Sequence, residues 1–477
     1  MIQNWKNKRV TVMGLGSFGG GVGVTRWLVA QGAKVLVTDK LPAEKLKDAL
    51  EQLAGLDITY RLGGHEQRDF RALDLLVVNP AVPEASEHLQ IARAANVPLT
   101  TEINLFVERC PARCIGVTGS VGKSTITAML GHVLERATKR RCDPPRLANC
   151  ATEGAAAPVA RRVWVGGNIG RSLLDALPEM TADDLVVLEL SSFQLQRTPL
   201  VRWSPHVAVV TDITPNHLDW HGTFEAYTAA KLNIVRFQDP DRDAALVHQR
   251  LNIAQLVEQT PGLRGATLQP WSYGLDGDTP RLLRGEQEIR WDKLRLGVPG
   301  RHNRENAAAA LGVAHTLGVP DDAALAALAT FEALPHRLQR VGERAGVTYY
   351  DDSKSTTPEA ALTALAAFDT QLLVILGGYD KGSDLRPLAQ SAARRARFVA
   401  CIGKTGRGIA DAVISAGGRA EFCDDLTAAV ARCRQEARAG DTVLLSPACA
   451  SWDQFTDYRA RGRLFARLVR GEPEPPA

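Results

Sequence analysis

Arg113-Cys114-Ile115-Gly116-Val117-Thr118-Gly119-Ser120-Val121-Gly122-Lys123-Ser124-Thr125 decides how the chain is read. A mostly apolar run ends in a glycine-bounded turn, and a helical pattern starts at Lys123. The order strand, glycine-rich loop, helix brings backbone N–H groups together at a helix mouth, where amides and the helix dipole both favour a phosphate. Lys123 can neutralise the outer phosphates, and Ser124 can ligate magnesium. Gly119, Ser120, Val121, Gly122, Lys123, Ser124 and Thr125 are therefore read as the binding loop of a nucleoside triphosphate, ATP. The loop is the shorter form of the motif, with Val117 where the eight-residue pattern has glycine.

Upstream, the apolar run Arg9–Met13 leads into Gly14-Leu15-Gly16-Ser17-Phe18-Gly19, and a second run from Lys34 to Thr38 ends at Asp39. This is a βαβ start with a tight turn for a diphosphate and an acidic residue where a ribose hydroxyl is often held. Alone it would suggest NAD. A dehydrogenase has no need of a triphosphate loop in its next section, so a nucleotide-linked substrate is the better reading of the turn. The alternation continues through Leu73–Val78 and closes near Glu108.

Downstream, Asp184–Glu189 and His206–Thr211 each run into polar residues, the strand ends at which open parallel sheets place ligands. A helical pattern follows Gly300-Arg301-His302-Asn303, and Leu334-Pro335 breaks the chain. Further strands are expected at Val347–Tyr350, Gln371–Leu376, Phe398–Ile402 and Thr442–Leu445. The fold class is α/β with three domains: a Rossmann-like domain over 1–110, a central P-loop-type mononucleotide-binding domain over 111–334, and a Rossmann-like domain over 335–477. The Arg-, Pro- and Ala-rich stretch between Ala137 and Arg162 reads as a surface insertion.

Composition narrows the function. The 477 residues suffice for about three domains, and 45% hydrophobic with 23% charged residues is globular rather than disordered. A net charge of +4 gives no support to nucleic-acid binding. No apolar run is long enough for a membrane helix, and the start Met1-Ile2-Gln3-Asn4-Trp5-Lys6 is polar, so a cytoplasmic protein without membrane insertion is expected. Eight cysteines are spread without a zinc spacing and are expected to be structural or inert.

Beyond the loop, Glu189 can supply a hard oxygen to magnesium. His217, in Asn216-His217-Leu218-Asp219, and Lys231 would each read as ordinary structure alone; together with the loop they form a candidate assembly. In the last third, Asp351-Asp352-Ser353-Lys354-Ser355-Thr356, Gly377-Gly378-Tyr379-Asp380-Lys381-Gly382 and Ser446-Pro447-Ala448-Cys449-Ala450-Ser451 each follow a strand. Three polar segments at the strand ends of one sheet suggest a shared ligand edge, with Lys354 and Lys381 suited to an anion.

With these strings in place, and with Gly167-Asn168-Ile169-Gly170, Glu189-Leu190-Ser191-Ser192-Phe193-Gln194-Leu195 and Asp453-Gln454-Phe455, the chain resembles the Mur ligase family over its whole length. The Ser-Ser-Phe-Gln-Leu and Ser-Pro-Ala-Cys-Ala-Ser strings are most similar to the glutamate-adding branch.

The resemblance implies ATP-dependent addition of D-glutamate to UDP-N-acetylmuramoyl-L-alanine through an acyl phosphate, in cytoplasmic peptidoglycan precursor synthesis, by a monomer. It implies that Lys123 contacts phosphates, that Ser124 and Glu189 hold one magnesium, and that His217 and Lys231 serve a second, Lys231 as a carbamate. ATP would also meet Asn303, Asn306, Arg337 and Asp352. The UDP substrate would meet Leu15, Gly16, Ser17, Phe18, Asp39, Asn79, Pro80, Ala81 and Asn168, and glutamate Thr356, Lys381, Ser451 and Tyr458. Val121 stands where the family commonly has Asn, and Tyr458 where Phe is commoner. An L-glutamate ligase of the same architecture is the nearest alternative, and a related ligase with another acceptor, an NAD redox enzyme and a non-catalytic nucleotide binder are further ones.

Overall fold

The computed structural model describes residues 4–16, 19–141, 162–170, 172–260, 262–263, 269–379 and 381–472, with the side chains of 138–141 left aside. Ser17, Phe18 and nearly all of the expected insertion, 142–161, lie outside the described residues.

The first alternation builds a parallel sheet from β1 (Arg9–Met13), β2 (Lys34–Asp39), β3 (Ile58–Leu62), β4 (Leu75–Val78) and β5 (Leu99–Thr100), in the order β3-β2-β1-β4-β5. All four residues of β4 are buried, as expected where helices cover both faces. The strand order reverses between β1 and β4, which opens a crevice beyond their carboxyl ends. The glycine-rich turn after β1 occupies that place.

The second sheet comprises β6 (Arg113–Thr118), β7 (Val163–Gly167), β8 (Leu185–Glu189), β9 (Val207–Val210), β10 (Ala244–His248), β11 (Trp271–Asp276), β12 (Thr279–Arg284) and β13 (Gln287–Arg290). Its order is β13-β12-β11-β10-β9-β6-β8-β7, parallel from β7 to β11. Two antiparallel hairpins, turned at Gly277-Asp278 and Gly285-Glu286, extend one edge. β6 lies between β8 and β9, so the ends at Thr118, Glu189 and Val210 stand side by side.

These two sheets belong to one compact unit, Met1–Lys293 with Asn306–Ala327. One hydrophobic core runs through it, joining Val12, Val24 and Phe106 to Leu174, Val186, Leu188 and Leu195.

The second unit, Leu294–Glu305 with Leu328–Ala477, holds β14 (Gln339–Arg344), β15 (Val347–Asp351), β16 (Leu372–Gly377), β17 (Ala396–Ile402), β18 (Ala420–Phe422) and β19 (Thr442–Leu445). Their order is β14-β15-β19-β16-β17-β18, with only β14 antiparallel to its neighbour. β16 is buried throughout. The expected α/β architecture with three sheets is thus present, and the expected helix near 300–318 runs from Arg301 to Thr316. The described cysteines are free, and burial pushes the Cys401 thiol up to about 12, which makes it inert. Among the described residues no helix is long and apolar enough to cross a membrane.

The turn after β1 depends on close backbone approach. Gly21 N donates to Leu15 O at 3.1 Å, and a β-carbon at Gly21 would lie 2.2 Å from that oxygen. Gly21→Ala is expected to destabilise the first domain by about 1–3 kcal/mol. Calorimetry would record this as an earlier first transition; an unmoved transition would mean that the turn yields at no cost.

Candidate active site

The phosphate-type loop leaves β6 at Thr118. Gly119 has φ 140°, and a β-carbon there would lie 1.7 Å from Thr211 Oγ1, so no larger residue fits. Thr211, at the end of β9, donates from Oγ1 to Val121 O at 2.6 Å, while Ser120 N donates to Asp212 O at 2.8 Å. Ser120 Oγ donates to Thr214 O at 2.9 Å. The loop is therefore clamped to the neighbouring strand end. Lys123 opens the helix Lys123–Arg141 and folds back, its Nζ donating to Gly119 O at 2.9 Å and Ser120 O at 3.1 Å. Ser124 and Thr125 are half-buried in the same first turn.

Glu189 ends β8 and is 2% exposed. Asn168 Nδ2 donates to Glu189 Oε1 at 3.0 Å, and Asn168 N donates to Glu189 O at 2.7 Å. Among the described residues Glu189 Oε2 is buried with no hydrogen-bond partner. A buried carboxylate oxygen left in this state is costly unless a cation or donor meets it.

His217 follows β9 and adopts the left-handed conformation, φ 52°, from which it opens the short helix Leu218–His221. Its N–H is held by Asn216 Oδ1 at 2.9 Å, and its ring packs against Phe193 at 5.1 Å. Burial lowers its basicity, against Asp219, with Lys231 and Lys123 adding to the effect. Lys231 lies on the helix Phe224–Leu232 and is 2% exposed. Its Nζ donates to Gly119 O at 2.7 Å and sits 4.6 Å from the centre of the Tyr227 ring. Burial, helped by Lys123 and opposed by Glu189, brings its pKa down to about 6. Tyr227 in turn hydrogen-bonds Ser120 Oγ at 3.0 Å.

These groups face the first sheet across a cavity of about 460 Å³, whose wall includes Gly16, Asn79, Pro80 and Ala81 as well as Lys123, Asn168, His217 and Lys231. A wider groove of about 1210 Å³ continues along the first sheet past Asp39 and Leu41. Asp39 does more than expected here: Oδ2 accepts from Leu15 N and Oδ1 from Leu41 N, both at 2.9 Å, so its carboxylate shapes the turn itself. Asn306 is 9% exposed and lies against Gly122, whose β-carbon would sit 2.7 Å from Asn306 Oδ1.

In the second unit, Asp352 follows β15 and accepts from Leu338 N at 3.2 Å and from Ser446 Oγ at 2.8 Å. Burial pushes its carboxyl up to about 6, against the hydrogen bonds from Ser355, Ser446 and Leu338. Arg461, 1% exposed, donates to Ser353 O at 2.9 Å and to Cys449 O at 3.1 Å. Tyr379 N donates to Ala450 O at 2.8 Å. The three polar segments thus share one edge, as β15, β19 and β16 are neighbours. Ser451 is buried, Thr356, Arg337 and Tyr458 are half-buried, and Lys381 is exposed with Nζ 5.2 Å from the Trp452 ring. Asn303 Nδ2 donates to Pro299 O at 2.6 Å.

Sequence reasoning passed over Tyr227, Arg197 and Glu102. Tyr227 precedes Lys231 by one helical turn, a spacing that puts both on one face. Arg197 and Glu102 have no such local signal.

The chain is similar to known proteins over nearly its full length. Residues 8–101 match the Mur ligase MurD-like N-terminal domain, 117–314 the Mur ligase middle domain, and 336–449 the Mur ligase glutamate ligase domain. The chain is 38% identical over 480 residues to the UDP-N-acetylmuramoylalanine–D-glutamate ligase of Roseiflexus sp. (strain RS-1), covering 97% of this chain and 98% of that one. Its identity to the ligase of the same name from Thermoanaerobacter sp. (strain X514) is 33% over 472 residues, with 97% and 98% covered. The crystal structure of UDP-N-acetylmuramate-alanine ligase from Thermotoga maritima has the same fold, with a TM-score of 0.56, 20% identity, and 98% and 100% of the two chains covered. The chain belongs to the Mur ligase family. Within it, its near full-length relatives put it in the branch of the UDP-N-acetylmuramoylalanine–D-glutamate ligases.

Glu102 lines the same cavity and accepts from Ser172 Oγ at 2.5 Å. Burial raises its carboxyl from 4.5 to about 7, with Ser172 opposing and Asp175 adding. Between those values the folded chain keeps a proton that the unfolded chain has lost. Its contribution to stability is therefore full below about pH 4.5 and falls away as pH rises to about 7. Glu102→Gln is expected to flatten the decline of melting temperature across that window relative to the wild type; parallel curves would refute the raised carboxyl.

Proposed function

We propose that this chain joins D-glutamate to the alanyl carboxylate of UDP-N-acetylmuramoyl-L-alanine at the expense of ATP, in cytoplasmic peptidoglycan precursor synthesis, as a monomer with domains at 1–110, 111–334 and 335–477. The observation that carries the reading is the single 460 Å³ cavity in which the glycine turn and Asn79–Ala81 of the first sheet face Lys123, His217 and Lys231 of the second. A carboxylate is a poor electrophile until a phosphate leaving group is attached. The site must therefore bring two anions, a carboxylate and a γ-phosphate, into contact.

The residues divide that work. The N–H groups of Gly119 to Thr125 cradle the phosphates, and the Lys123 ammonium exchanges the carbonyls of Gly119 and Ser120 for phosphate oxygens. The turn from Leu15 to Phe18, Asp39, Asn79–Ala81 and Asn168 hold the UDP-linked substrate so that its carboxylate enters the cavity. Asn303, Asn306, Arg337 and Asp352 serve the adenosine part of ATP. Thr356, Lys381, Ser451 and Tyr458 receive glutamate, whose amine attacks the acyl phosphate; the new amide forms as inorganic phosphate leaves.

The donor set suits magnesium. Glu189 Oε2 is a buried oxygen with no partner among the described residues, and Ser124 offers a hydroxyl in the loop. Among the described residues no three or more His, Cys, Asp or Glu side chains form a ready cage, consistent with an ion that keeps waters and substrate phosphates as ligands. Ser124 and Glu189 would hold one ion, and His217 with Lys231 a second; when bound, they offset the charge that builds up during phosphoryl transfer. An ammonium at Lys231 would repel a cation. Its neutral amine, bonding to carbon dioxide with loss of a proton, becomes an anionic N-carboxylate, which can serve as a ligand.

Phosphate release by the purified protein with ATP, magnesium and UDP-N-acetylmuramoyl-L-alanine is expected with D-glutamate and not with L-glutamate or other amino acids. Release with L-glutamate alone would reverse the enantiomer, and release with none would remove the ligase reading. Lys231→Ala is expected to lower kcat by about 100-fold or more, as loss of a charged group at the transferring phosphate does. Added formate or acetate should restore part of it, and undiminished turnover without them would exclude Lys231 from the site.

A further inference from the structure

The turn that follows β4 is held by side chains from segments that follow β8 and β9. Arg197, just after the capped helix Ser192–Leu195, is 3% exposed. Its Nη1 lies 3.4 Å from both Asn79 O and Pro80 O, and its Nη2 donates to Val82 O at 2.6 Å. Glu84 Oε1 pairs with Nη2 at 2.9 Å, and the other oxygen of Glu84 pairs with Arg93. The carbonyl left over, Ala81 O, accepts from Trp220 Nε1 at 3.3 Å. Four successive carbonyls of Asn79–Val82 are thus taken by two side chains.

Their places in the chain matter. Arg197 follows the strand end that carries Glu189, and Trp220 sits on the short helix that His217 opens. Asn104 Nδ2 donates to Arg197 O at 2.8 Å, so the arginine's own backbone is tied to the first domain as well. Burying a guanidinium is unfavourable unless its donors are matched. Apolar cover would leave these carbonyls without donors, whereas directional bonds from Arg197 and Trp220 both satisfy them and fix where the turn sits.

We propose that Arg197, seconded by Trp220, is a positioning residue for the UDP-linked substrate. It locks the Asn79–Val82 turn to the segments bearing Glu189 and His217, so the wall that holds the substrate and the groups that act on its carboxylate keep one spacing. This rests on the ligase reading above. Touching the turn's carbonyls and not the reacting atoms, the clamp governs how tightly the substrate is held. ATP, bound by the loop after β6, is independent of it.

Titration calorimetry with UDP-N-acetylmuramoyl-L-alanine and, separately, with ATP tests this on the wild type, Arg197→Lys and Trp220→Phe, with phosphate release measured beside it. Lysine keeps the charge but loses the fork, so about 10-fold weaker binding of the UDP substrate is expected, with ATP affinity within about twofold. Trp220→Phe keeps a ring at a partly exposed position and is expected to weaken the UDP substrate about threefold, so it serves even if the arginine variant fails to fold. A merely structural arginine would lower the melting temperature and leave both affinities of the folded protein alone. Unchanged affinity for the UDP substrate in the variants overturns the clamp. A wild type that binds, with weaker variants, yet releases no phosphate overturns the ligase reading and leaves the clamp standing; a wild type that does not bind overturns both.

Discussion

Two lysine amines meet at one carbonyl oxygen. Lys123 Nζ and Lys231 Nζ donate to Gly119 O at 2.9 and 2.7 Å, one from the helix that the loop opens and the other from a helix beyond β9. Two ammonium groups this close would repel strongly in a poorly solvated pocket. The conflict is resolved at Lys231, whose burial and neighbour bring its pKa to about 6 and leave the amine largely neutral at neutral pH. This arrangement requires a backbone turn with no side chain at Gly119, the threonine just past β9 pressed against it, and β6 flanked by β8 and β9. The remaining features of the central site follow from meeting these conditions together.

The join between the first two sheets rests on the same logic of matched polar groups. Their common hydrophobic core accounts for cohesion, whereas register comes from Arg197 on the Asn79–Val82 turn, Asn104 on Arg197, and Ser172 on Glu102. Apolar contacts are non-directional and tolerate sliding. Hydrogen bonds to named carbonyls do not. A site assembled from two sheets thus has its spacing set where the directional contacts are.

Much of the fold could be read along the chain. β1, β6 and β19 run over the very residues expected from their apolar runs. β3 escaped because Ile58–Leu62 is partly exposed at the sheet edge and carries a polar pattern, and the hairpins β12 and β13 because the parallel alternation hides an antiparallel extension. The loop, Glu189, His217 and Lys231 were identified as one assembly because each stands at a strand end or on the helix after it. Asp39 was recognised by position alone; that its two oxygens are already engaged by Leu15 and Leu41 depends on the turn's path.

The local chemistry is legible along the linear chain: where strands turn into helices, which turns lack side chains, and which lysine, glutamate and histidine stand at those turns. Such features depend on neighbours within a few residues, and a linear pattern records them. The lowered basicity of Lys231, the Glu189 oxygen without a partner among the described residues, the raised carboxyl of Glu102 and the contacts of Arg197 arise only in the folded chain. Desolvation and directional hydrogen bonding depend on what packs across from distant parts of the chain, and that partner set exists only once the sheets are together.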